Sequence, residues 1–256
     1  MTEDTDNLVL FEDCGNYAVI TFNRPEKLNA LSTPMVSRFQ RILADCRGRF
    51  PVIGVTGVAK AFCAGVDLKE RNAWVKAGAK IRGDSVRNHW YDTIGTIIRQ
   101  HPSVFIAAVN GVCMGAGTTL INLCELAIIA EDAELAIPQV NFNIYPGVAG
   151  AGLQERVLRK HASEPILTGR RFTAERAVEI GMANMVVPPE KLMDEARALA
   201  THIAQFDPVA LDWCKKALDQ IPSQISNWPV ALEYGRAVTS MIRDQIGSDK
   251  VVPSGF

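Results

Sequence analysis

The chain has 256 residues, 48% of them hydrophobic, and a formal net charge of −1. That length suits one large α/β domain or two small ones, and the apolar content supports a sizeable core and excludes a disordered chain. Basic and acidic residues are nearly equal in number and interspersed, which leaves no patch for nucleic acid or an anionic membrane surface, and no apolar run is long enough to span a bilayer.

Met1 to Asn7 is acidic and polar, so no secretory signal is expected and the chain reads as cytoplasmic. Its six cysteines (Cys14, Cys46, Cys63, Cys113, Cys124, Cys214) are scattered without a C-x-x-C pair. This spacing argues against a disulfide framework or a metal site and reads as buried small hydrophobes in a reduced compartment.

In chain order, Leu8–Phe11 and Tyr17–Phe22 are short β-rich runs split by Asp13-Cys14-Gly15-Asn16, the signature of a hairpin. A loop follows at Asn23–Lys27, and Ser32 or Thr33 is placed to cap a helix running to about Arg47. Val52–Thr56, Val104–Val109, Leu126–Ala130 and Glu134–Ile137 read as strands. Apolar strands alternating with helices imply a parallel sheet covered on its faces. After Pro146 helices dominate, at Leu153–Lys160, Thr173–Ile180, Pro189–Phe206, Pro208–Ile221 and Pro229–Gln245, with Met185–Val187 as a last strand. The expected division is a β/α core over residues 1–200 and a helical C-terminal region over 201–256.

Two stretches carry the chemistry. Ala61-Phe62-Cys63-Ala64-Gly65-Val66-Asp67-Leu68-Lys69-Glu70 and Ala107-Ala108-Val109-Asn110-Gly111, the latter running into Met114-Gly115-Ala116-Gly117, each place small residues where a strand ends. Backbone N–H groups there can point at a ligand unobstructed, and two converging donors stabilise charge on a carbonyl oxygen. Acyl transfer or enolate chemistry follows from such a pair.

These loops resemble the two oxyanion loops of the crotonase superfamily, the enoyl-CoA hydratase/isomerase family. The resemblance extends over roughly residues 8–205. It includes Asn23-Arg24-Pro25-Glu26-Lys27-Leu28-Asn29-Ala30-Leu31, similar to the family's first CoA-contacting loop, and Pro138-Gln139-Val140-Asn141-Phe142-Asn143-Ile144-Tyr145-Pro146-Gly147, similar to its active-site loop. Leu167-Thr168-Gly169, Ala174–Gly181 and Val186-Val187-Pro188 resemble the stretch leading to the last helices.

The resemblance implies an α/β spiral of ββα units with a helical C-terminal trimerisation region, assembling as a homotrimer or a dimer of trimers. It implies an acyl-CoA substrate whose thioester carbonyl accepts from the N–H groups of Val66 and Ala116, with CoA entering as part of the substrate and no separate cofactor. It places Lys27, Leu28 and Ala30 near the nucleotide end of CoA, and Ala64, Asp67 and Leu68 near the pantetheine.

The chain departs from the family where hydratases carry two glutamates: Thr119 and Gln139 stand there instead. Neither side chain is a general base near neutral pH, so two-carboxylate hydration is not supported. Tyr145, beside the expected thioester, is the nearest candidate for proton work. His89 and Asp92, three apart on an expected helix Ser85–Arg99, form a second candidate pair, with Trp74, Trp90 and Tyr91 near the acyl pocket. Glu125 reads as structural.

Hydration, isomerisation, C–C cleavage and decarboxylation all pass through a thioester enolate, and cleavage or decarboxylation best suits a centre without acids. The alternatives are an acyl-CoA-binding protein without turnover and a crotonase-fold β-diketone hydrolase that does not use CoA.

Overall fold

The computed structural model describes residues 5–76 and 97–247. In chain order the elements are β1 (Val9–Asp13), β2 (Ala18–Phe22), α1 (Thr33–Cys46), β3 (Val52–Gly57), β4 (Ala61–Cys63) and α2 (Leu68–Lys76). Then come β5 (Val104–Val109), β6 (Val112–Met114), α3 (Ala116–Leu123), β7 (Leu126–Ala130), β8 (Glu134–Ala136), α4 (Ala149–Arg156) and α5 (Arg159–Thr168). The chain closes with β9 (Arg171–Thr173), α6 (Ala174–Glu179), β10 (Met185–Val187), α7 (Leu192–Ile203), α8 (Pro208–Gln224) and α9 (Trp228–Ile246).

A six-stranded sheet in the order β1-β2-β3-β5-β7-β10 is parallel except for the β1–β2 hairpin. Its turn is the one expected: Gly15 takes φ +87 and donates its N–H to the Asp13 carboxylate at 2.9 Å. Every residue of β5 is buried. Phe105, Ala107 and Val109 face one core with α1, whereas Ile106 and Ala108 pack beneath Ala196, Leu192 and Ala200 of α7. A strand covered on both faces gains burial along its whole length, roughly 1.5–3 kcal/mol for each large side chain.

The second sheet, order β4-β6-β8-β9, is built from strands of three residues each. The sequence gives Glu134–Ile137 as a strand but β4, β6 and β9 only as loops, because three residues cannot display a period. Helix ends differ as well. The expected helix Leu153–Lys160 is two helices, broken where Val157 and Leu158 adopt extended backbone and Val157 is drawn into the core. Pro189–Lys191 is a 3-10 turn ahead of α7, so the expected boundary at residue 200 lies inside that helix. Pro208 stands in the first turn of α8, capped by Asp207 through Val209 N–H at 2.8 Å, and Pro229 in that of α9, capped by Asn227.

Ser32 occupies the N-cap of α1 but its hydroxyl makes no cap bond. Glu70 of α2 does this instead, accepting from Thr33 N–H at 3.0 Å and from Thr33 Oγ1 at 2.9 Å. A carboxylate there also meets the positive end of the α1 dipole.

Helix α8 is tied to the sheet by a buried polar cluster. Lys215 Nζ donates to the carbonyls of Ile98 and Ser103, both at 2.9 Å, and pairs with Glu125 at 3.3 Å. Burial pushes the Glu125 carboxyl up while the Lys215 ammonium pulls the other way, and Glu125 also accepts from Phe105 N–H at 2.7 Å. Glu125 is structural, as read from sequence. Beside it, buried His101 has Nε2 2.9 Å from the Leu43 carbonyl and accepts from Ser103 N–H at Nδ1, 3.2 Å. Those two partners require the neutral ring with its hydrogen on Nε2.

Among the described residues no helix is long and apolar enough to cross a membrane. Cys46, Cys63, Cys113 and Cys124 are buried as expected, whereas Cys14 is half-buried and Cys214 exposed.

Burial lowers the His101 pKa from 6.5 to about 4. A folded-state pKa below the unfolded one means the unfolded chain binds the extra proton. This contribution to stability is present above pH 6.5 and lost as pH falls towards 4, on the order of 3 kcal/mol in total. Urea unfolding between pH 7.5 and 4.5 should show this slope, and His101→Gln should flatten it.

Candidate active site

The two glycine-bearing loops leave adjacent strands of the small sheet. In the parallel β4–β6 pair Ala61 lies opposite Val112 and Cys63 opposite Cys113. Past β4 the chain turns at Gly65, φ +96, and past β6 at Gly115, φ +52. A Cβ on Gly65 would sit 2.9 Å from the Met114 carbonyl oxygen and 3.5 Å from the Ala116 nitrogen, so the loops meet backbone to backbone. One step further, a Cβ on Gly117 would sit 2.2 Å from the Cys63 carbonyl oxygen, which lets α3 start directly against β4.

Around Val66 the backbone bonds belong to its neighbours: Leu31 N–H donates to Gly65 O at 2.7 Å and Asp67 N–H to Leu31 O at 3.0 Å. Ala116 is the first residue of α3, ahead of the helical ladder. Neither N–H donates to any acceptor among the described residues. Both residues are half-buried at the edge of the core.

The first loop is held from behind by the Asn23–Leu31 stretch. Buried Arg24 donates to Asp67 at 2.7 Å and to Ala30 O at 3.1 Å. Ala64 N–H donates to Leu28 O at 2.9 Å. Fully buried Asn29, at φ 56, accepts from Arg24 N–H and donates to Val58 O and Ala61 O. Burial alone would raise the Asp67 carboxyl, but Arg24 and the amides of Glu70 and Lys69 outweigh it and hold it low.

Hydrogen bonds thus tie together the two stretches that carry the expected CoA-facing residues. Lys27, Leu28 and Leu68 are exposed, Ala30 and Ala64 half-buried, and the Asp67 side chain is engaged with Arg24 and the α2 cap. The sequence reading missed Arg24, Asn29 and Glu70. The Asp67-x-x-Glu70 spacing resembles a capping box, which was a usable signal for a helix start there.

Opposite the hole, Thr119 is buried on the first turn of α3, with Oγ1 3.4 Å from the Gly115 carbonyl. Gln139 lays its Nε2 against Gly115, 3.1 Å from where a Cβ would stand, and its buried Oε1 has no partner among the described residues. Tyr145 packs over Gly150, and its oxygen accepts from Gln154 Nε2 at 2.8 Å, which leaves the phenolic hydrogen free to donate. It is 59% exposed, so the loop presents it outward.

Cys63 and Cys113 lie behind the hole rather than in it. Burial pushes the Cys63 thiol up to about 12 and raises Cys113 well above its usual range, which disfavours either as a nucleophile. His89, Trp90, Tyr91, Asp92 and the side chain of Trp74 lie outside the described residues.

Residues 13–238 match the family model described as Enoyl-CoA hydratase/isomerase. YngF of Bacillus subtilis (strain 168) is 36% identical over 209 residues, 79% of this chain and 78% of that protein. A hydroxycinnamoyl-CoA hydratase-lyase of Pseudomonas fluorescens is 32% identical over 198 residues, 76% of this chain and 71% of that one. The crystal structure of enoyl-CoA hydratase from Bacillus anthracis matches with a TM-score of 0.81 at 30% identity, covering 91% of this chain and 90% of that chain. The chain belongs to the crotonase superfamily, in the enoyl-CoA hydratase/isomerase family, and its fold is the α/β spiral of ββα units with C-terminal helices expected from the sequence.

Gly117→Ala should force α3 away from β4, because the atom it would strike is backbone. A cost of about 1–3 kcal/mol, several degrees in Tm, is expected by calorimetry. Gly152→Ala on α4, where the nearest atom is Asn122 Cβ at 3.5 Å, should instead be neutral or stabilising.

Proposed function

We propose that the protein is an acyl-CoA enzyme that places a thioester carbonyl between the N–H groups of Val66 and Ala116 and passes through an enolate formed without a carboxylate base. The observation that carries this reading is the meeting of Gly65 with Ala116 while both neighbouring amides remain unengaged. Preorganised donors of this kind typically contribute about 2.7–4 kcal/mol to a transition state that concentrates charge on oxygen. The dipole of α3 adds to the effect at Ala116.

The groups around the hole decide among the enolate reactions. Hydration needs a base to activate water and an acid to protonate carbon, and Thr119 and Gln139 offer hydrogen bonds only. Cleavage of a bond at Cα leaves its electron pair in the thioester, where the two amides receive the charge. A proton then returns to Cα.

Tyr145 is suited to supply that proton, because Gln154 occupies its oxygen as an acceptor and leaves its hydrogen outward. The unpartnered Oε1 of Gln139 is suited to hold a substrate hydroxyl. C–C cleavage or decarboxylation is therefore the reaction proposed. Lys27, Leu28, Ala30, Ala64 and Leu68, with the backbone at Asp67, form the CoA surface. The C-terminal helices, which expose Trp228, Val230 and Leu232, serve a trimer or a dimer of trimers.

The test is a panel of acyl-CoA thioesters, straight-chain enoyl, aromatic and malonyl-type, followed by mass spectrometry in water and deuterium oxide. Turnover with deuterium at Cα is expected. Ala116→Pro removes one donor at a helix position that tolerates proline, and should lower turnover about 100- to 1000-fold. Tight thioester binding without product would favour a binding protein instead, and failure to bind CoA would favour a β-diketone hydrolase. Rapid hydration of crotonyl-CoA that survives Thr119→Ala and Gln139→Ala would overturn the site assignment.

A further inference from the structure

Helix α2 begins directly after the first oxyanion loop, and its fourth residue is Arg71. The Arg71 guanidinium lies over the ring of Phe142, 5.8 Å from its centroid. Phe142 ends the 3-10 turn that begins at Pro138 and carries Gln139 against Gly115. The cation thus bridges the first oxyanion loop's helix and the active-site loop.

Among the described residues Arg71 makes no ion pair, although two acids share its helix turn and cap. Asp67 is turned to Arg24 at 2.7 Å, and Glu70 reaches the opposite way to the start of α1, accepting from Thr33 N–H and Oγ1. The loop facing Arg71, from Gln139 to Tyr145, contains no charged residue. Arg71 is half-buried, so part of its hydration is already lost and the aromatic ring holds its plane in place.

We infer that Arg71 determines acyl specificity by pairing with a carboxylate on the acyl group, which makes the substrate class the CoA monothioester of a dicarboxylic acid. This inference rests on the acyl-CoA reading above. The carboxylate it pairs with is retained in the product: a carboxylate leaving as CO2 loses its charge in the transition state, and an ion pair to it would resist that loss. A planar guanidinium presents two parallel N–H donors to a carboxylate, a recognition that a neutral acyl end cannot satisfy. A CoA phosphate offers the same anionic chemistry, and the experiment separates the two.

Calorimetric titrations of the full-length protein would compare succinyl-CoA with butyryl-CoA, glutaryl-CoA with pentanoyl-CoA, and free CoA. The wild type should bind each carboxyacyl thioester roughly 10- to 100-fold tighter than its neutral partner. Arg71→Met keeps the helix and a sulfur contact to Phe142. It should abolish that preference and leave butyryl-CoA and free CoA within about twofold, while Arg71→Lys should retain part of the preference.

Unchanged melting of each variant would confirm that folding is intact. Equal binding of the two classes by the wild type, or an equal loss for both in Arg71→Met, would overturn the inference alone. A loss for free CoA in step with the thioesters would assign Arg71 to phosphate and overturn it as well. If no CoA compound binds, the acyl-CoA reading fails, and this inference with it.

Discussion

The short parallel pairing of β4 with β6 is the constraint on which the site depends. Two three-residue strands have few hydrogen bonds with which to hold a register, and this one shifts between Ala61 and Cys63. What fixes it is close packing without side chains. Gly111 lies against Lys60 O, Gly117 against Cys63 O and Gly57 against Ala61 O, all at separations that exclude a Cβ. The geometry of the two loops is therefore set by backbone contacts, and the amides of Val66 and Ala116, the donors proposed above, are positioned by what their neighbours cannot carry. Because those proposed donors belong to the main chain, substitution of their own side chains has little leverage on them.

A second layer of constraint comes from charge. Arg24 and Asp67 form a buried pair whose partners are 43 residues apart, and the pair joins the Asn23–Leu31 loop to the start of α2. Buried ion pairs are a weak source of net stability, since desolvation offsets much of their attraction. Their value here is register: removal of either partner would leave a buried charge beside the first oxyanion loop. Glu70 does the same for α1. Asp67 and Glu70, the two acids at the start of α2, are thereby engaged in scaffolding.

The fold was legible because its signals are long. Strands of five or six residues buried on both faces, and helices entered through Asp207-Pro208 and Asn227-Trp228-Pro229, show their period and their caps in the sequence. Of the small sheet only β8 was legible, since β4 and β6 are three-residue strands inside stretches that read as glycine-bearing loops, and the break at Val157, driven by tertiary burial, was not legible either. At the site, Gly65 and Gly115–Gly117 announced themselves as loops, and the family resemblance supplied their partnership. Arg24 and Asn29 escaped because polar residues in a loop look solvated until the fold closes over them, and Glu70 because an acid in the first turn of a helix is ordinary until the start of α1 is seen against it. Arg71 escaped for the opposite reason: one arginine on a helix is ordinary until its helix and the loop bearing Phe142 are seen together.

The absence of acids and the presence of Arg71 point the same way electrostatically. An enolate and an anionic acyl end are both negative, and carboxylates such as the glutamates of hydratases would repel them across a partly desolvated pocket. Replacing those glutamates with Thr119 and Gln139 removes that repulsion while keeping hydrogen-bonding capacity at both positions. In the proposed site the oriented amides, the α3 N-terminus and the guanidinium all present positive potential to the ligand. A site so arranged gains affinity for charge that develops on the thioester oxygen and for charge the substrate brings with it, at the expense of the base that water addition requires. On the reading proposed here, Thr119 and Gln139 mark a change of substrate charge as much as a change of reaction.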